Sequence, residues 1–228
     1  HKPHHGLDNS YLADAIRQFP GVFSGVACIA AEGPDPAADM RRLAGLGFRG
    51  FRIRPGEGGA PLWRESSGMN AMWRYAAETG VAICPLINPE HLSEVDVMCG
   101  RYPETTVVID HFARIGIDGE VRKEEVDRLA KLAKHPRVHV KVSAFYALGR
   151  KQPPHDDLVP MVRRLCETYG PARLMWGTDC PYQLSPPNSY ATSVEFVQGK
   201  LDFLSAAERQ HLLRTTAEKV FFQPVNIG

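Results

Sequence analysis

Apolar, β-branched runs recur along the chain at 22–29, 48–53, 81–87, 106–111, 138–143 and 174–179. Their starts fall roughly 25 to 35 residues apart, the length of a strand plus a crossover helix. The stretches between them carry apolar residues at helical spacing and predict helices over 9–19, 36–46, 68–79, 91–102, 123–134 and 156–169. Asp8 or Asn9 stands where the first helix needs an N-cap, and Gly47 and Gly80 follow helices as C-caps. The tail over 189–222 predicts two helical pieces broken near Leu204-Ser205. Near-continuous Val and Ile runs read as strands buried on both faces, hence a parallel sheet covered by helices.

Six β/α units suit an open doubly wound sheet or part of a (β/α)8 barrel. A glycine-rich phosphate loop would favour the open sheet, but no GxGxxG or Walker pattern follows any strand. Gly56-Glu57-Gly58-Gly59 runs into Ala60-Pro61 rather than a capped helix, and reads as a turn or a flexible site loop. Periodicity alone does not separate the two architectures.

Composition narrows the class. The 228 residues suffice for one sizeable domain, and 43% hydrophobic with 23% charged residues is ordinary for a globular protein. A net charge of +1 with no basic block gives no argument for nucleic acid or an anionic membrane as partner. Cys28, Cys84, Cys99, Cys166 and Cys180 are odd in number and form no Cys-x-x-Cys pair, so reduced thiols and a cytoplasmic setting are the default. No apolar run approaches the roughly 20 residues that span a bilayer. His1, His4 and His5 read as a solvated loop, with a tag or a site as alternatives.

Chemistry concentrates at strand ends. The run Leu174-Met175-Trp176-Gly177-Thr178-Asp179 closes on a carboxylate before Cys180-Pro181. At such a position an Asp is a catalytic base or a metal ligand, or else it caps its own turn. His111 ends another run, sharing a strand face with Val107 and Ile109 as Asp179 does with Met175 and Gly177. In a barrel the two would converge on one rim, where imidazole and carboxylate bind a divalent ion or activate water. Arg114 follows His111 by three residues, and Arg52 and Arg54 share a face at another strand end. Arginines there fit a substrate carboxylate or a surface ion pair. Ser143 ends the fifth strand as a site candidate, while Lys141, two residues earlier, suits a buried pairing role.

Asp110-His111-Phe112-Ala113-Arg114, Val140-Lys141-Val142-Ser143 and Met175-Trp176-Gly177-Thr178-Asp179-Cys180-Pro181, in this order, resemble the amidohydrolase-2 family. Within it they are similar to the branch containing pyrone dicarboxylate hydrolases and sugar lactonases, and the likeness runs from about Asp8 to Phe222. The resemblance implies a (β/α)8 TIM-type barrel that opens a lactone of a small carboxylated substrate. Asp179 would deprotonate the attacking water, His111 would polarise the carbonyl or ligate a metal, and Arg114 would hold the substrate carboxylate. Arg52, Arg54, Ser143 and Tyr182 complete the expected substrate-binding set. The cofactor implied is none or one divalent ion, zinc first, with His111 and Asp179 as its ligands. Decarboxylases of the same superfamily make a lyase the alternative reaction.

One departure stands out. The family carries His-x-His on its first strand, and no His-x-His occurs here. Residues 4–11 resemble the loop after the family's second strand, so the reading over 1–228 is a single barrel domain lacking the first two strands. A catalytically disabled barrel is therefore a further alternative; such a barrel would have unpaired edge strands, an aggregation hazard unless covered, and a homo-oligomer is a separate expectation.

Overall fold

The computed structural model describes residues 6–56 and 60–226 of the 228-residue chain. His1, His4, His5 and residues 57–59 of the glycine-rich loop lie outside the described residues. In chain order the elements are α1 (Ser10–Gln18), β1 (Gly25–Ala27), α2 (Pro36–Gly45), β2 (Phe48–Ile53), α3 (Ser67–Thr79), β3 (Ala82–Pro85), α4 (Leu92–Arg101) and β4 (Thr106–Ile109). They continue with α5 (Lys123–Lys131), β5 (Val138–Ser143), α6 (Val159–Tyr169), β6 (Leu174–Gly177), α7 (Tyr190–Glu195), α8 (Ala206–Gln210) and α9 (Thr216–Phe221). Every predicted strand and helix is present, with ends shifted by a few residues. The predicted break in the tail falls between a π-helical turn at Phe196–Lys200 and α8, which starts at the Ser205–Glu208 capping box.

The chain forms two compact units. The first comprises His1–Leu86, Ser93–Val108 and Glu218–Gly228. In it β1 pairs with β2, β2 with β3 and β3 with β4, all parallel. Within this unit the strand order does not reverse, so it holds no switch point of the doubly wound kind. Phe48, Phe51, Met72, Trp73 and Ile83 are fully buried and form its core. Asp35 caps α2 by accepting from Ala38 N–H at 2.9 Å, and Ser66 caps α3 from Met69 N–H at 3.0 Å. Gly80 ends α3 at φ 84°, a left-handed position that favours glycine. Asn9 departs from its expected capping role. Its side-chain amide donates to Cys28 O at 2.9 Å and its oxygen accepts from Cys28 N–H at 3.2 Å, tying the start of α1 to the end of β1.

The second unit comprises Ile87–Leu92 and Ile109–Ala217. Here β5 pairs in parallel with β6, with Lys141 opposite Met175 and Ser143 opposite Gly177. The strands are not uniformly buried on both faces. β3 is, but β5 alternates, with Val138, Val140 and Val142 buried while His139 and Lys141 are half-buried. The half-buried face of β5 is the one that carries polar side chains towards the strand end.

No disulfide joins any of the five cysteines, and burial pushes the Cys166 thiol up to about 12. Among the described residues no helix is long and apolar enough to cross a membrane.

Candidate active site

Beyond β4 the chain enters a left-handed turn. His111, Phe112, Ala113 and Arg114 have φ of 52°, 52°, 54° and 58°. None is glycine, and each left-handed residue costs roughly 1–2 kcal/mol for an L-amino acid. Such a run persists only when packing over-determines it. Phe112 supplies the anchor, fully buried with its ring 6.4 Å from that of Phe145. Asp110, also fully buried, lies with Oδ1 2.7 Å from Lys141 Nζ, so Lys141 is the buried pairing partner that its place on β5 suggested.

The turn aims the His111 imidazole. Its Nδ1 lies 2.7 Å from Ser143 Oγ, a side chain with no exposed surface. Its Nε2 faces Asp179 Oδ1 at 3.6 Å. That is an ion-pair distance rather than a hydrogen bond. His111 and Asp179 were expected as the last residues of their strands. Each instead lies two residues past the strand end, because the left-handed conformations at His111 and at Asp179 (φ 58°) break the ladder. Strand parity therefore does not orient them; the turns do.

Tyr146 is a member of this cluster that the sequence reading did not single out. Its hydroxyl donates to Asp179 Oδ2 at 2.7 Å. Burial, followed by the hydrogen bond to the Asp179 carboxylate, holds the phenol well above its ordinary range. The available signal was its position, three residues past Ser143 in the loop after β5, on the rim where barrel loops carry chemistry.

Arg114 is half-buried, and its charge is felt by both Tyr146 and Glu90. Burial alone would raise the Glu90 carboxyl. Hydrogen bonds from its own backbone and Asn88, with the charges of His91 and Arg114, bring it below its ordinary value instead. Tyr182 is 43% exposed, and its N–H donates to Asp179 O at 3.1 Å, closing the turn that presents the carboxylate. Arg52 and Arg54 belong to the first unit. There they line a cavity of about 160 Å³ with Cys28, Ile53 and Met69. The second unit thus gathers His111, Asp179, Ser143, Arg114 and Tyr182, with Tyr146 added.

The amidohydrolase family model (Amidohydro_2) matches residues 2–223. The chain belongs to the amidohydrolase family. It is 30% identical over 178 residues to an L-fucono-1,5-lactonase of Burkholderia ambifaria, covering 76% of this chain and 60% of the relative. It is 28% identical over 181 residues to a 4-sulfomuconolactone hydrolase of Hydrogenophaga intermedia, covering 78% of this chain and 57% of the relative. The chain therefore spans less than two thirds of the length of these curated relatives. Among solved structures, one from Pseudomonas putida bearing the name 2-pyrone-4,6-dicarboxylic acid hydrolase superposes with a TM-score of 0.80 at 27% identity, over 95% of this chain and 78% of that one. An amidohydrolase barrel built from β/α units is thus the fold class of this chain.

The divalent ion expected as one alternative finds no three-ligand site among the described residues. A catalytic zinc site takes three protein ligands. His111 and Asp179 supply two facing donors, and among the described residues no group of three His, Cys, Asp or Glu could hold an ion. His111 Nδ1 is already bonded to Ser143.

Proposed function

We propose that this amidohydrolase opens the lactone ring of a small carboxylated substrate with water activated by Asp179. The observation that carries the reading is the 3.6 Å approach of the Asp179 carboxylate to the His111 imidazole, each on a strained loop just past a strand end. The lactone-opening names of the relatives at 28–30% identity support it.

The chemistry follows from the donors present. Asp179 accepts a proton from water as the water oxygen attacks the lactone carbonyl carbon. Ser143 can donate its hydroxyl proton to His111 Nδ1, which leaves the Nε2 proton facing the reacting centre to stabilise the developing oxyanion. The ring C–O bond then breaks, and the leaving oxygen takes the proton back from Asp179, giving a hydroxy acid. Arg114, at the same turn as His111, pairs with the substrate carboxylate. Tyr182 lies at the exposed edge of the site.

The test is turnover of carboxylated lactones by the wild-type chain and by Asp179→Asn, without metal and with zinc added. Loss of about 100-fold or more in Asp179→Asn is expected for removal of a general base. Equal rates in the two proteins would sink the reading. Carbon dioxide release from a carboxylated substrate without ring opening would replace it with a lyase.

A further inference from the structure

The end of β5 supplies both groups that orient the reacting pair. Ser143, its last residue, bonds to His111 Nδ1, and Tyr146, three residues on, bonds to Asp179 Oδ2. Between them Ala144 takes φ 61°, a left-handed step that redirects the chain. Tyr146 itself is held through its neighbour. Phe145 is 3% exposed, with ring centroids 4.5 Å from Phe196, 5.6 Å from His155 and 6.4 Å from Phe112. The phenol therefore projects from a packed aromatic cluster, whereas Asp179 sits on a loop with 24% of its side chain exposed. A carboxylate on such a loop has a rotor to lose and two equivalent oxygens to offer.

We propose that Tyr146 is the positioning residue for the base: its phenol ties down Oδ2 of Asp179 and leaves Oδ1, the oxygen facing His111, to receive the proton of water. This rests on Asp179 acting as the base, while the tie itself can be measured without turnover. In this 2.7 Å bond the phenol O–H is the donor and the carboxylate can only accept, so the polarity of the tie is fixed. One oxygen is then committed and the other aimed, which is the pre-organisation that proton abstraction needs.

The experiment labels the tyrosine Cζ carbons with 13C and follows them by NMR through an alkaline titration, with Tyr146→Phe assigning the signal. In the wild type the Tyr146 carbon is expected to move at higher pH than the exposed tyrosines. In Asp179→Asn it is expected to move at lower pH than in the wild type, since the negative acceptor is gone. Titration at the same pH in both proteins overturns the proposal. In steady state, Tyr146→Phe is expected to lower kcat about tenfold with KM and the thermal midpoint little changed, as loss of orientation predicts. Unchanged kcat also overturns it. If no lactone is turned over by any form, the NMR comparison still decides the tie, and the lactonase reading alone fails.

Discussion

Lys141 Nζ lies 2.7 Å from Asp110 Oδ1, a cation on β5 matched to a carboxylate with no exposed surface. Asp110 is the residue from which the left-handed turn of His111 to Arg114 departs. The pair thus fastens the strained segment to the neighbouring strand, and what holds the turn also holds the imidazole.

Removing one partner from a buried ion pair strands the other charge, at a cost of about 3–5 kcal/mol. Lys141→Met should therefore lower the unfolding free energy by about 3 kcal/mol in urea titrations. Combining it with Asp110→Asn should recover more than half of that loss, since no bare carboxylate remains. A double variant as unstable as the single one would show that the pair is not what secures the turn.

His155 makes stability depend on pH. It is 2% exposed, at φ 60°, with its ring 5.6 Å from Phe145 and 6.1 Å from Phe196. Burial lowers its pKa below the ordinary 6.5, against the smaller opposing charges of Asp157 and Asp156. Those carboxylates are themselves paired, Asp157 with Arg150 at 3.4 Å and Asp156 with Lys200 at 3.2 Å. The unfolded chain takes up a proton below 6.5 that the folded one refuses, so stability is lost as pH falls through that value towards the lower folded one. His155→Asn keeps a residue that tolerates left-handed backbone and removes the titration. Its urea midpoint should fall less than that of the wild type between pH about 7.5 and about 5.5. Parallel pH profiles in the two proteins would refute the assignment.

Two glycines beside the site should behave oppositely. Gly149 has φ 57°, and a methyl there would meet Asp157 Oδ2 at 2.1 Å. That carboxylate oxygen already accepts from Arg150 N–H at 2.7 Å, so it cannot yield cheaply. Gly177 has ordinary backbone, and a methyl would stand 3.6 Å from Lys141 and Ser143 side-chain carbons. Gly149→Ala is expected to cost at least about 2 kcal/mol, and Gly177→Ala to stay within about 0.5 kcal/mol. Thermal melting of the two variants side by side checks the contrast, and equal losses would contradict it.

Much of this fold was legible because its signals are local. Phe48–Ile53 and Val138–Ser143 have as strands the bounds their apolar runs predict, and the tail helix restarts just after the expected break at Leu204-Ser205. His111, Asp179 and Ser143 were also legible, since side chains that end apolar runs collect at one rim of a β/α fold. Tyr146 was not. Nothing in Ala144-Phe145-Tyr146-Ala147 marks a site until Ala144 turns the chain and the Phe145 cluster fixes where the phenol points.

By itself, then, the chain's pattern of apolar runs and caps determined the α/β class, the six strands and the residues that arrive at the strand ends, because hydrophobic burial and helix capping are set by neighbours in sequence. The tertiary structure alone decided how those residues face one another. Left-handed backbone at His111 and Asp179 is not written in the apolar pattern, and Phe112, the Lys141–Asp110 pair and the Tyr146 hydrogen bond pack around it, Lys141 and Tyr146 coming from a part of the chain distant in sequence.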